Sequence, residues 1–147
     1  MLAIHELEEI TIGDLTQFQI TKEDKVIMGH QAVSNILDGL LNKEQIMNLV
    51  VEFDERKSKE ALFAHYCDKL ECDIQSKLYD EEGCVDLDNQ ESNETLKDSR
   101  VQALLKSGKS WSDMWLTFGQ NVYGYDENFI EISNYVKDNN INEFKEE

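Results

Sequence analysis

Apolar positions recur at helical spacing through most of the chain. After Thr21, a residue type that caps helices, Val26, His30, Val33, Leu37 and Leu40 follow one another at alternating steps of four and three, the stripe of an amphipathic helix. Gly39 and Asn42 loosen its end, and Lys43 to Arg56 predicts a second helix with Ile46, Leu49, Val50 and Phe53 on one side. Ser58 can cap a third, in which Leu62, Phe63, Tyr66, Cys67, Leu70, Ile74 and Leu78 form a long stripe ending near Gly83. The next stretch, VDLDNQESNETLKD, is polar and acidic and reads as a solvated loop. Beyond it, Leu96 to Leu105 predicts a short helix. Ser110 caps another, carrying Trp111, Trp115, Phe118 and Val122, and Asp126 starts the last, with Phe129, Ile132, Tyr135 and Val136. An aromatic stripe of this kind is core rather than a cofactor box. The tail NNINEFKEE is expected to fray.

Composition narrows this all-α reading. The 147 residues contain no proline and seven glycines, which argues against a turn-rich β-sandwich or barrel. With 40% hydrophobic residues, one domain with a single core is expected: motif-bearing helices over 1–83, an acidic loop over 84–98, C-terminal helices over 99–140 and a tail over 141–147. The 31 acidic and 14 basic side chains leave a formal charge of −17, which repels phosphate backbones and excludes non-specific nucleic-acid binding. A small phosphorylated ligand stays open, because a bound divalent metal reverses the local field. No apolar run approaches a membrane span, and MLAIHELEE has neither a basic n-region nor a cleavage site. Cys67, Cys72 and Cys84 form an odd set without zinc-ribbon spacing, so a reducing, cytoplasmic setting is expected. A calcium loop from Asp80 fails, since Gly83 falls at its fourth position instead of its sixth.

Candidate chemistry concentrates near the N-terminus, where His5, Glu6, Glu8, Glu9 and Asp14 place four carboxylates and an imidazole within ten positions. On a helix His5 and Glu9 share a face, and Gly13 could end that helix and turn Asp14 back toward it. Neutral imidazole with carboxylate suits a divalent ion, and a further carboxylate can handle the proton of a water. The zincin pattern HExxH is absent, because Glu9 stands where the second histidine would be. Downstream, Asp68 shares a helical face with Ala61, Ala64, His65 and Cys72, and the two alanines would let another helix approach closely. The plainer reading of Asp68 is a surface acid paired with Lys69 or Lys77. His30, on its apolar stripe, reads as a packed, hydrogen-bonded residue.

HELEEITIGD resembles the HD-domain phosphohydrolases, in particular the branch similar to bacterial 5'-deoxynucleotidases. That family's pattern is a histidine–aspartate pair, a glutamate three residues later and then Gly-Asp, which fall here on His5-Glu6, Glu9 and Gly13-Asp14. EFDERKSKEALFAHYCDKLE is similar to the family's acidic helix, Glu-Ala pair and Asp-Lys-Leu segment, so that Asp68 matches its final metal-ligand aspartate. The likeness covers about residues 1–80 and, weakly, the closing FIEISNYVKDNN.

The resemblance implies an all-α bundle around one divalent ion (Mn, Co, Ni, Fe, Zn or Mg). His5, Glu6 and Asp68 would be its ligands, Glu9 the general acid/base and Asp14 a positioner of substrate or water, with nucleoside monophosphates as substrates. Glu6 stands where the family has aspartate, and His65, three before Asp68, is a further candidate ligand. The family's first histidine lies on a helix upstream of the pair, whereas this chain begins at the pair. The expectation is therefore an N-terminally truncated HD domain whose uncovered apolar surface promotes homo-oligomers. The alternative function is a degenerate, catalytically impaired HD-like module that dimerises or binds partners.

Overall fold

The computed structural model describes residues 1–16, 18–90 and 92–142. Among these residues there is no strand. The α-helices are α1 (Glu9–Ile12), α2 (Lys22–Ile36), α3 (Lys43–Glu55), α4 (Lys59–Glu81), α5 (Ser99–Lys106), α6 (Trp111–Val122) and α7 (Glu127–Asp138). Short 3-10 turns occupy Leu2–Ile4, Leu87–Asn89 and Glu94–Lys97. No helix of the described residues is long and apolar enough to cross a membrane.

Side-chain caps set most of the helix starts. Thr21, Ser110 and Asp126 each accept a backbone N–H of the first turn, as expected from the sequence. Ser58 does the same for Ala61 at the head of α4, and each such cap contributes about 1 kcal/mol. The predicted boundaries shift elsewhere. The helix after Thr21 closes at Ile36, and Leu40 and Leu41 stand exposed in the turn beyond it. The helix expected from Leu96 starts instead at Ser99, because Asp98 caps it through the N–H groups of Arg100 and Val101. Arg56, at φ +53°, ends α3 in the left-handed region.

The chain forms two compact units, residues 1–65 and 66–147, and α4 contributes to both. In the first, α2 packs on α1 and α3. Its centre is Val33, Leu37 and Val50, flanked by Ile4, Leu7, Ile46 and Met47. Burying each aliphatic side chain is worth about 1.5–3 kcal/mol. Ala61 and Ala64 are buried, as their small size suggested, while Phe63, assigned to the stripe by periodicity, is exposed.

In the second unit α6 packs on α5 and on α7. Its centre is Leu70, Tyr125 and Phe129, with Tyr66, Ile74 and Tyr123 against it. The inward face of α6 is Ser112, Met114, Leu116, Phe118 and Gly119, so only Phe118 of the expected aromatic stripe is fully buried and Val122 is exposed. On α7, Phe129, Ser133 and Val136 face inward whereas Ile132 and Tyr135 face out. Ser133 is tolerated inside because its hydroxyl accepts a hydrogen bond from Gln120. Asp80 accepts both the N–H and the hydroxyl of Ser112, and Glu81 accepts the N–H groups of Ile141 and Asn142. The remainder of the tail expected to fray, residues 143–147, lies outside the described residues.

Candidate active site

The N-terminal cluster sits on a tighter coil than the sequence suggested. Leu7 N–H bonds to Ile4 O at 3.3 Å and Glu9 N–H to Glu6 O at 3.0 Å, a three-residue pitch, and α-helix begins only at Glu9. The expected stacking of His5 over Glu9 on one continuous helix is therefore corrected, since a 3-10 turn places residues three apart, not four, on one line. Gly13 does terminate α1. Its φ of +77° is open to glycine at no steric cost, and Asp14 beyond it is exposed.

His5 is firmly oriented. Its Nδ1 lies 2.6 Å from the Leu2 carbonyl oxygen, and its ring lies 5.2 Å from that of Phe53. The same Phe53 meets His65 edge-on at 6.5 Å. With Nδ1–H donating to a carbonyl, Nε2 carries the lone pair, the tautomer in which histidines ligate metals. That atom lies 3.8 Å from Glu6 Oε1, and the Glu6 side chain is 67% exposed.

Glu9 and Asp68 each stand beside a lysine. Glu9 is paired with Lys25 at 3.4 Å, and the same ammonium donates to the Leu15 carbonyl at 2.9 Å. Asp68 belongs to the second unit, where Lys69 lies 2.8 Å from it, the partner the plainer reading named. His5, Glu6, Glu9 and Asp14 thus share the first unit without Asp68. Among the described residues no three or more His, Cys, Asp or Glu are grouped so as to hold an ion. In chemistry, though not as an assembled cage, the donors fit a divalent cation. An imidazole fixed by its far nitrogen, with a carboxylate beside it, is the kind of set such ions take.

Two features were not foreseen. Glu8 folds back on α2, with its Cγ 3.3 Å from where a Cβ on Gly29 would stand. Burial, against the opposing effects of its backbone hydrogen bond and Lys25, raises its pKa above the ordinary carboxylate value. His30 Nε2 lies 2.7 Å from Asp54 Oδ2. This pair lines an open groove of about 450 Å³ between α2 and α3, together with Lys22, Val26, Ile27 and Val51. Hydrogen bonding by His30 was expected, but the partner, 24 residues away, was not identifiable from periodicity.

The chain matches the HD domain family over residues 1–108. It is similar to the 5'-deoxynucleotidase HDDC2 of Dictyostelium discoideum, with 35% identity over 86 residues covering 56% of this chain and 45% of that protein. The chain thus spans less than half the length of that curated relative. No solved structure matches. The matched region takes in the oriented His5, the Gly13 stop and all of α2 to α5, an all-α framework throughout. By that match this chain belongs to the HD domain family.

Proposed function

We propose that this chain is a metal-dependent phosphohydrolase of the HD type acting on nucleoside monophosphates. The observation that carries the reading is the His5 imidazole, pinned through Nδ1 to Leu2 O with Glu6 beside its other nitrogen. The likeness to a protein named as a 5'-deoxynucleotidase supports the substrate class. A divalent ion held by His5, Glu6 and Asp68 would neutralise phosphate charge and make water a nucleophile near neutral pH.

The chain's own groups supply the rest. The Leu2 carbonyl holds the imidazole ring in one orientation, so little freedom is lost when it ligates. Glu9 takes the proton of the attacking water or returns one to the leaving alkoxide, and Lys25 keeps that carboxylate in place. Asp14, exposed past Gly13, positions the nucleotide or the water. A net charge of −17 repels a free phosphate monoester, so cation loading is a condition of substrate binding.

The test is elemental analysis of the purified full chain, followed by phosphate release from deoxynucleoside monophosphates with each of Mn, Co, Ni, Fe, Zn and Mg. Metal-dependent release that disappears in Asp68→Ala and His5→Ala, with far-UV circular dichroism unchanged, supports the reading. Inert protein under every metal overturns it. The second reading, an impaired HD-like module that self-associates or binds partners, is favoured by two observations. Lys25 occupies Glu9, and Ile10 and Ile27 on the first unit are 75% and 68% exposed. It requires instead that Asp68→Ala leave every measured property unchanged and that the chain sediment as an oligomer.

A further inference from the structure

The second unit buries a carboxyl group that the proposed hydrolysis does not use. Asp73 on α4 is 2% exposed. Its Oδ2 accepts the Tyr125 hydroxyl at 3.0 Å. On the opposite helix, α6 presents bare backbone to it: a Cβ on Gly119 would stand 2.1 Å from Oδ2. Such an approach leaves no room for a water between α4 and α6 at this level. Tyr125 comes from the short turn joining α6 to α7, where Gly124 takes φ +71°. Its ring is stacked on Phe129 at 6.0 Å and meets Tyr66 edge-on at 5.7 Å. Aromatic rings thus pack around Tyr125, and its phenol is the donor that reaches the buried carboxyl of Asp73.

We propose that Asp73 and Tyr125 form a proton-dependent latch, which holds the α6–α7 turn closed on α4 while the carboxyl is protonated and releases it when the carboxyl ionises. A protonated carboxyl carries no charge and is far cheaper to bury than its ion. A carboxylate needs several donors or water, and one phenol is too few. The tight contact at Gly119 blocks hydration from the α6 side, so relief comes by moving the turn.

Around Asp73 burial outweighs the two groups that oppose it. Burial raises its carboxyl to about 7, against the lowering effects of the Tyr125 hydroxyl and of Lys69, one turn back on α4. Burial, and then the adjacent Asp73 charge, push the Tyr125 phenol up, so the phenol stays a donor throughout. Tyr123, in the same turn, and Cys72 on α4 act weakly on Tyr125 in the same sense. α6 contributes the Gly119 backbone, and α7 packs the Phe129 ring on Tyr125, both uncharged.

The sign follows from linkage. A carboxyl at 3.8 when unfolded and about 7 when folded binds its proton more tightly in the native state. Stability from this group is complete below pH 4 and declines as pH rises to 7, by up to roughly a thousandfold in the unfolding constant.

Urea unfolding of the full chain from pH 4 to 8.5 is compared between wild type and Asp73→Asn, which cannot ionise. The wild type should lose at least tenfold more of its folding constant over that range than the variant does. In parallel, the Asp73 side-chain carbon is followed by NMR in the wild type, so that the test survives a variant that fails to fold. A midpoint above pH 6, with amide protection of residues 119–126 falling through the same midpoint, supports the latch. A midpoint below pH 5, or equal pH slopes in the two proteins, overturns it.

Discussion

His30 Nε2 and Asp54 Oδ2 are 2.7 Å apart, a polar tie between α2 and α3 beside the hydrophobic contacts of Val33, Leu37 and Val50. Both side chains are about 30% exposed, so the tie is worth about 1 kcal/mol rather than the several of a buried pair. His30→Ala and Asp54→Ala should each lower urea stability by about 1 kcal/mol. The double variant should lose less than the sum, with a coupling of about 0.5–1 kcal/mol. Strict additivity in that cycle contradicts the contact.

Gly29 sits in the interior of α2, where alanine is favoured by about 1 kcal/mol. A methyl group there meets the Glu8 Cγ at 3.3 Å, a flexible neighbour that must yield a little. Gly29→Ala is therefore expected to change stability by less than about 0.5 kcal/mol alone. In a Glu8→Ala background it should gain about 1 kcal/mol, read from chemical denaturation.

Gly119 is also helical, but the outcome is opposite. Its Cβ would collide with Asp73 Oδ2 at 2.1 Å, and that carboxyl is buried and tied to Tyr125. Gly119→Ala should cost about 1–3 kcal/mol despite its better helix propensity. Adding Asp73→Ala, which vacates the space, should recover part of that loss. A neutral Gly119→Ala shows that α4 and α6 stand farther apart than described.

Asp98 caps α5 and holds Arg100 through two charge-assisted bonds, at 2.8 and 3.0 Å. Hydrogen bonding from Arg100 is the main cause that draws its carboxyl down to about 2, aided by the capped N–H groups. A depressed folded value means stability present above pH 4 and lost as the pH falls through 2. In acid titrations from pH 4 to 2, Asp98→Asn should lose less stability than wild type. At pH 7 it should be weaker by about 0.5 kcal/mol, because asparagine still caps the helix and only the exposed ion pair with Arg100 is lost.

Lys25 touches both Glu9 and the Leu15 carbonyl. Under the hydrolase reading it positions the acid/base, so Lys25→Met should lower kcat about tenfold with KM changed little. Lys25→Arg should restore much of the rate. A selective rise in KM would place Lys25 on the substrate instead.

The helices were legible where sequence carries a local device. Thr21, Ser58, Ser110 and Asp126 mark starts by their own hydrogen bonds, and the family resemblance read from HELEEITIGD agrees with the match over residues 1–108. Faces were harder. Periodicity places Phe63 and Ile132 inside, yet both are exposed, while Ser133 and Asp73 are buried. Their burial depends on partners far along the chain, Gln120 and Tyr125, which no local pattern announces. The tight coil from Leu2 to Glu8 was also hidden, since a 3-10 pitch and an α pitch share their first few residues. Asp68 was recognisable by resemblance alone, and the structure sets it in the second unit with Lys69 beside it.

The bond from the His5 ring to the Leu2 carbonyl closes a loop of only three residues. Closures that short form in well under a microsecond and cost little chain entropy. The local bond needs only its own turn, whereas the Phe53 contact on the same ring requires α3 in place. Ligand geometry at this position thus has one restraint set by near neighbours and one set by α3, and a change that displaces α3 would leave the ring on a single tether.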